Sequence, residues 1–304
     1  MKQKVIPVYK EVEKQIEKIA QNKQKKSGPI CINGKPMYLP LKEHKVEVTY
    51  YKAKKRNAPI IFGTYGGEFI MDDYSYDNLF WKMISKEFEC NVVSIPYKNF
   101  IQSKFPNTIN SVYDVICYFM ENESDFDFDP DKVIIFGSGI GANFATSASL
   151  LDRTNNTNYI KTQILNYPYL DLAKNTNKKI ANTFICPQKY VNDEAELKNP
   201  FVSPIYASRE DLEGMPKTII ICGGEDTLRY EDEKYAKMLE NSGTEVYYRN
   251  YNEMEHGFLE LYFILKYMPL QSPTLSKKMK DNFINGKLYQ SVMSAIHFIK
   301  EHCV

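Results

Sequence analysis

Nowhere does the sequence run for the roughly 18 uncharged apolar residues that a membrane-spanning helix needs. Its start, MKQKVIPVYKEVEKQIEKIAQ, also lacks the apolar run that a secretion signal requires. An excess of one charge is missing too: 39 Lys+Arg stand against 38 Asp+Glu, a net charge of +1, which builds no basic field for a nucleic-acid backbone. Histidine is sparse (His44, His256, His297, His302), and the six cysteines at 31, 90, 117, 186, 222 and 303 show no C-x-x-C or paired spacing. That leaves little from which to build a metal site, and it points to reduced, buried thiols rather than a disulfide framework. These absences lead to a cytoplasmic protein with no metal, cofactor, membrane span or nucleic-acid partner.

What is present is an alternation of strand and helix patterns. HKVEVTYY (44–51) alternates polar and apolar residues as a half-exposed strand does, and is where the sheet is expected to begin. Near-continuous β-branched or apolar runs follow at 58–64, 91–97, 132–136, 161–166 and 217–222, with a last strand at 245–251, mostly as strands buried on both faces require. Helical spacing occupies 76–88, 108–121, 140–152, 230–241 and 287–301. The pattern predicts an α/β fold with a mostly parallel sheet of about eight strands and helices on both faces. Tyr9, Val12, Ile16 and Ile19 recur at helical spacing among charged residues, so 1–44 is read as an N-terminal helical cap or flank on a main domain of 45–304. The polar stretch 171–199 breaks the alternation and is read as a second cap excursion over the sheet's carboxyl edge.

Three distant segments would meet at that edge. Gly66, Gly67 and Glu68 follow the strand 58–64, and successive amides in such a turn can face a developing oxyanion. KVIIFGSGIGA (132–142) runs from strand through a glycine-rich turn into a helix, where the Ile140 amide would be a further donor. Asp226 follows a buried strand, and His256 follows the last strand 30 residues later. Singly these are commonplace: an aspartate after a strand is more often a turn former, and a histidine near Met254 and Phe258 more often a packed residue. Together, in the order turn, acid, histidine, they form an acid/imidazole pair fit for general-base work. The turn also fits G-x-G-x-x-A, the dinucleotide fingerprint. Its strand is about fourth in the sheet, and no acid stands about 20 residues on for a ribose, so nucleotide binding is the remote alternative.

At these positions the sequence resembles the hormone-sensitive-lipase-like branch of the α/β-hydrolases, which includes acetyl esterases and carboxylesterases. Tyr65-Gly66-Gly67-Glu68-Phe69 resembles HGGGF, and Ser94-Ile95-Pro96-Tyr97-Lys98 resembles S-V-D-Y-R. Phe105-Pro106, Asp129-Pro130-Asp131-Lys132 and Asn143 match further points, as do Tyr167 to Asp171 (Y-P-x-L-D) and Asn199 to Pro204 (N-P-x-x-S-P). Asp226-x-Leu228-Arg229 matches D-x-L-R, and Met254-x-His256-Gly257-Phe258 matches M-x-H-G-F. The resemblance implies an α/β-hydrolase fold with a small helical cap, catalytic roles for Asp226 and His256, and oxyanion donors among Gly66, Gly67, Glu68 and Ile140. The family's elbow is G-x-S-x-G, whereas this chain reads Gly137-Ser138-Gly139-Ile140-Gly141, with Gly139 at the nucleophile position and the serine absent. Ser138 stands one residue early and is expected to point away from the cleft. Glu68 further places a carboxylate beside the oxyanion position, and Tyr65 and Ile140 also depart from the pattern. The expectation is a carboxylesterase-like protein without normal serine turnover, binding a small ester-like or apolar ligand, with a homodimer as the assembly considered. The alternative is altered hydrolysis or elimination through the Asp226–His256 pair.

Overall fold

Valine and isoleucine stiffen the chain at χ1 and pack well on a pleated surface, and their runs become the strands here. The structure, a computed structural model, describes residues 34–41, 45–66, 77–96, 103–174, 179–180, 183–184, 187–267 and 286–303. The strands are β1 (Lys35–Pro40), β2 (Lys45–Tyr51), β3 (Ala58–Thr64), β4 (Asn91–Ile95), β5 (Phe128–Ser138), β6 (Thr162–Asn166), the two-residue pair β7 (Lys179–Ile180) and β8 (Thr183–Phe184), β9 (Lys217–Gly223) and β10 (Val246–Tyr251). Eight of them form one sheet in the order β1-β2-β4-β3-β5-β6-β9-β10. β1 and β2 pair antiparallel, as do β2 and β4, and every other neighbour in the sheet is parallel. The glycine-rich turn therefore leaves the sheet from a central strand.

The helices are α1 (Asp77–Glu87), α2 (Asn107–Glu121), α3 (Ile140–Thr154), α4 (Arg209–Leu212), α5 (Arg229–Asn241), α6 (Phe258–Tyr267) and α7 (Lys287–Cys303). Successive strand side chains point to opposite faces, and β5 divides its residues accordingly. Ile134 and Phe136 pack with Trp81, Phe258 and Val292 beneath α1, α6 and α7. Val133 and Ile135 pack with Val112, Ala145 and Tyr235 beneath α2, α3 and α5. A third cluster caps the carboxyl edge of the strands, where Tyr65, Ile140 and Tyr169 meet Tyr190, Val191 and Val202.

The sequence reading departs from this in two places. The sheet begins one strand earlier than 44–51, because KPMYLP pairs antiparallel with β2; its two prolines and mostly exposed side chains hide it from a hydrophobicity pattern, and both fit an edge strand. α6 was not anticipated, because FLELYFILKY is apolar almost all round and shows no stripe. Within 171–199, the described part includes β7, β8 and short 3₁₀ turns at Pro187–Lys189 and Glu194–Lys198. The helix expected over 7–22 lies outside the described residues.

Candidate active site

β5 ends at Ser138 and α3 begins at Ile140, so the chain turns within a single residue. That residue, Gly139, sits at φ +57° and ψ −121°, a conformation that strains any residue with a Cβ. Its N–H donates to Asn166 O (2.9 Å), and its carbonyl accepts from Tyr169 N–H (3.3 Å). Gly141 must be glycine, because a Cβ there would lie 2.2 Å from Tyr65 O and 2.4 Å from Thr64 O. This close approach lets the Thr64 hydroxyl donate to Gly141 O (2.8 Å), which ties the end of β3 to the turn.

Ser138 is buried, and its Oγ accepts from Asn166 Nδ2 (3.1 Å). Its side chain is thus tied to the neighbouring strand β6. A Cβ built on Gly139 would instead lie 3.3 Å from His256 Nε2 and 3.6 Å from Tyr169 Cε2. The other imidazole nitrogen, Nδ1, is 2.8 Å from Asp226 Oδ2, and the Asp226 side chain is only 1% exposed. Asp226 Oδ1 accepts from Leu228 N–H (2.9 Å), so both carboxylate oxygens are fixed. Gly139, Asp226 and His256 thus come together with Nε2 facing the space above Gly139. Gly66 lies beside them, its Cβ position 3.1 Å from Ser138 O, and the Ile140 side chain is fully buried under the same edge. Gly67 and Glu68 lie outside the described residues.

Several motif residues that carry no chemistry form the frame. Asn143 Nδ2 donates to Tyr169 O (2.7 Å) and Val202 O (2.9 Å). Glu231 Oε2 accepts from Leu170 N–H (3.1 Å), and Ser203 Oγ accepts from Leu172 N–H (2.9 Å). Arg229 donates to Gly224 O (2.5 Å), bracing the loop that carries Asp226. Sequence reasoning missed the role of two tyrosines and a glutamate: the rings of Tyr167 and Tyr169 lie 4.8 Å and 5.3 Å from the His256 ring, and Tyr167 OH donates to Glu260. The only signal for the tyrosines was their place in Y-P-x-L-D, and Glu260 carried none.

One further acid lies close by. Asp232 on α5 is fully buried with neither oxygen partnered among the described residues, and desolvation, then the nearby Asp226 and Glu231 charges, hold its carboxyl well above the usual range. Among the described residues, no group of three or more His, Cys, Asp or Glu is placed to hold a metal ion, and no helix is long and apolar enough to cross a membrane.

Comparison with known proteins agrees with this fold. A family profile described as alpha/beta hydrolase fold matches residues 61–260. An arylesterase of Saccharolobus solfataricus is 27% identical over 234 residues, covering 73% of this chain and 76% of that protein. A carboxylic ester hydrolase of Mycobacterium tuberculosis is 27% identical over 221 residues, covering 67% of this chain but only 58% of its own length. Among solved structures, an arylesterase superposes with a TM-score of 0.72 at 24% identity, covering 95% of this chain and 91% of the other. A Pyrobaculum calidifontis esterase does so with a TM-score of 0.73 at 21% identity, covering 96% and 92%. At these identities the superpositions speak for the fold.

Proposed function

The chain belongs to the alpha/beta hydrolase fold family, and on that premise we propose that it is an esterase-like protein that has lost serine acyl transfer and binds a small ester-like or acyl ligand at the old reaction centre. The observation that carries this reading is Gly139. It holds the turn from which a side chain would face His256 Nε2, and it offers no hydroxyl there. Loss of a nucleophile that works as a unit with its base costs on the order of 10⁶ in kcat. Ser138 is no substitute, since its hydroxyl is held under the turn by Asn166. In this reading Asp226 and His256 keep their partnership, and Gly66 and Ile140 flank the place where the ligand carbonyl lies. The four described cysteines, Cys90, Cys117, Cys222 and Cys303, are free thiols, which supports placement in the reducing cytoplasm.

The intact Asp226–His256 hydrogen bond favours a second reading. Nε2 faces a space where a serine would stand, and a water there could give its proton to the imidazole and add to an ester carbonyl; the same base could take a proton from a ligand carbon in an elimination. Asp226 would orient the ring and stabilise the imidazolium formed.

Hydrolysis of p-nitrophenyl acetate and butyrate separates the two, using the protein, Gly139→Ser and His256→Ala side by side. The first reading expects turnover above the His256→Ala blank only in Gly139→Ser. His256-dependent turnover by the unaltered protein would establish the second. Silence from Gly139→Ser, if folded, would remove the first.

A further inference from the structure

Asp226 is not the only carboxylate arranged around His256. Tyr167 is buried (1% exposed) and fixed by its own backbone, at φ +40° with its N–H donating to Ile221 O (2.6 Å). Its ring lies against the imidazole, with centroids 4.8 Å apart and planes tilted by 57°, and it also packs on Phe258 at 5.8 Å. Its hydroxyl donates to Oε2 of Glu260, in the first turn of α6, while Oε1 of Glu260 is buried with no hydrogen-bond partner among the described residues. A phenol that donates to a carboxylate becomes more electron-rich, and an electron-rich aromatic face attracts a cation. The carboxylate's own charge acts in the same direction, and burial reduces its screening.

We infer that Tyr167 and Glu260 form a positioning unit for His256, a second anionic support reached through an aromatic ring, which favours the charged imidazolium and holds the ring square to the Gly139 space. His256 is therefore held by three contacts: by Asp226 on Nδ1, by the Tyr169 ring at 5.3 Å, and by the Tyr167 ring of the Tyr167–Glu260 unit. Glu225, Glu253 and Glu255 are the other acids on the two turns that carry Asp226 and His256, and Glu253 is paired with Lys287. A bland role is also available to Glu260, because an acid in a first helical turn offsets the helix dipole without touching any site.

The inference deepens the reading proposed above by specifying what the surviving imidazole is built to do. It rests on that reading only for the importance of His256. The test is an NMR titration of His256 in the full chain, with no ester or ligand present, so an absence of ligand binding or turnover would leave its result unaffected. At the pH where half of the His256 rings are charged in the unaltered protein, the charged-to-neutral ratio is expected to fall about threefold in Glu260→Gln. Tyr167→Phe should shift the titration in the same direction, and the double variant should go little further than Glu260→Gln alone. Glu255→Gln serves as the control for a general loss of charge and should move His256 less. An unmoved His256 titration in folded Glu260→Gln and Tyr167→Phe, or an equal response to Glu255→Gln, would overturn the inference and leave Glu260 as a helix-dipole partner.

Discussion

At position 139 the backbone adopts φ +57° and ψ −121°, a region that costs a side-chain-bearing residue about 1–3 kcal/mol. Glycine removes both that cost and the nucleophile, so Gly139→Ser should do two things together. It should gain ester hydrolysis, and it should lower the free energy of urea unfolding by about 1–3 kcal/mol, because the new Cβ also crowds His256 Nε2 at 3.3 Å. Asp232 is the second residue with a readable consequence. Burial raises the pKa of its carboxyl in the fold relative to the unfolded chain, so the folded protein holds a proton that the unfolded one has released. Its contribution is therefore most favourable below the pH at which an ordinary aspartate ionises. Stability then falls as the pH rises from there, until the folded group ionises too. Asp232→Asn should shrink the difference in melting temperature between about pH 5 and about pH 8, since an amide does not titrate there. An unchanged difference would mean that the acid is not held neutral.

At the scale of elements, α3 is buried along almost its whole length and yet carries Asn143, Thr146, Ser147 and Ser149. The hydroxyls of Thr146 and Ser149 bond back to carbonyls one turn earlier, and that of Ser147 reaches Phe201 O. Asn143 does more, joining α3 to the segments after β6 and before α4 through two carbonyls. Asn143→Ala leaves both carbonyls without that donor, and we expect a loss of about 2 kcal/mol in urea unfolding. The loss should fall on the frame around Gly139, so Asn143→Ala placed on Gly139→Ser should also weaken any hydrolysis that the serine restores. Elements of this kind are where sequence reading does well and poorly by turns. The strand at 58–64 and the start of α3 at Ile140 were readable to the residue, because a β-branched run and a glycine turn are local signals. β1 and α6 were not readable: the first is recognised only by its pairing with β2, and the second is apolar on all sides.

At the scale of the whole molecule, a net charge of +1 leaves little mutual repulsion near neutrality. Light scattering should find the lowest solubility near neutral pH, with improvement at about pH 5 or about pH 9.5, where one sign of charge prevails. A solubility minimum well away from neutrality would show that the folded surface titrates differently from the sequence as a whole. The family and the parallel sheet were determined by the sequence alone, since alternating strand and helix patterns admit few packings and the motifs recur in order along the chain. The sequence likewise named Asp226, His256 and Gly139. Only the tertiary structure decided that Nδ1 meets Asp226 while Nε2 faces Gly139, that Ser138 Oγ accepts from Asn166, and that Tyr167 lies against the imidazole with its hydroxyl on Glu260. These relations join residues 28 to 117 positions apart in the sequence, and periodicity and propensity describe only what a residue does with its near neighbours.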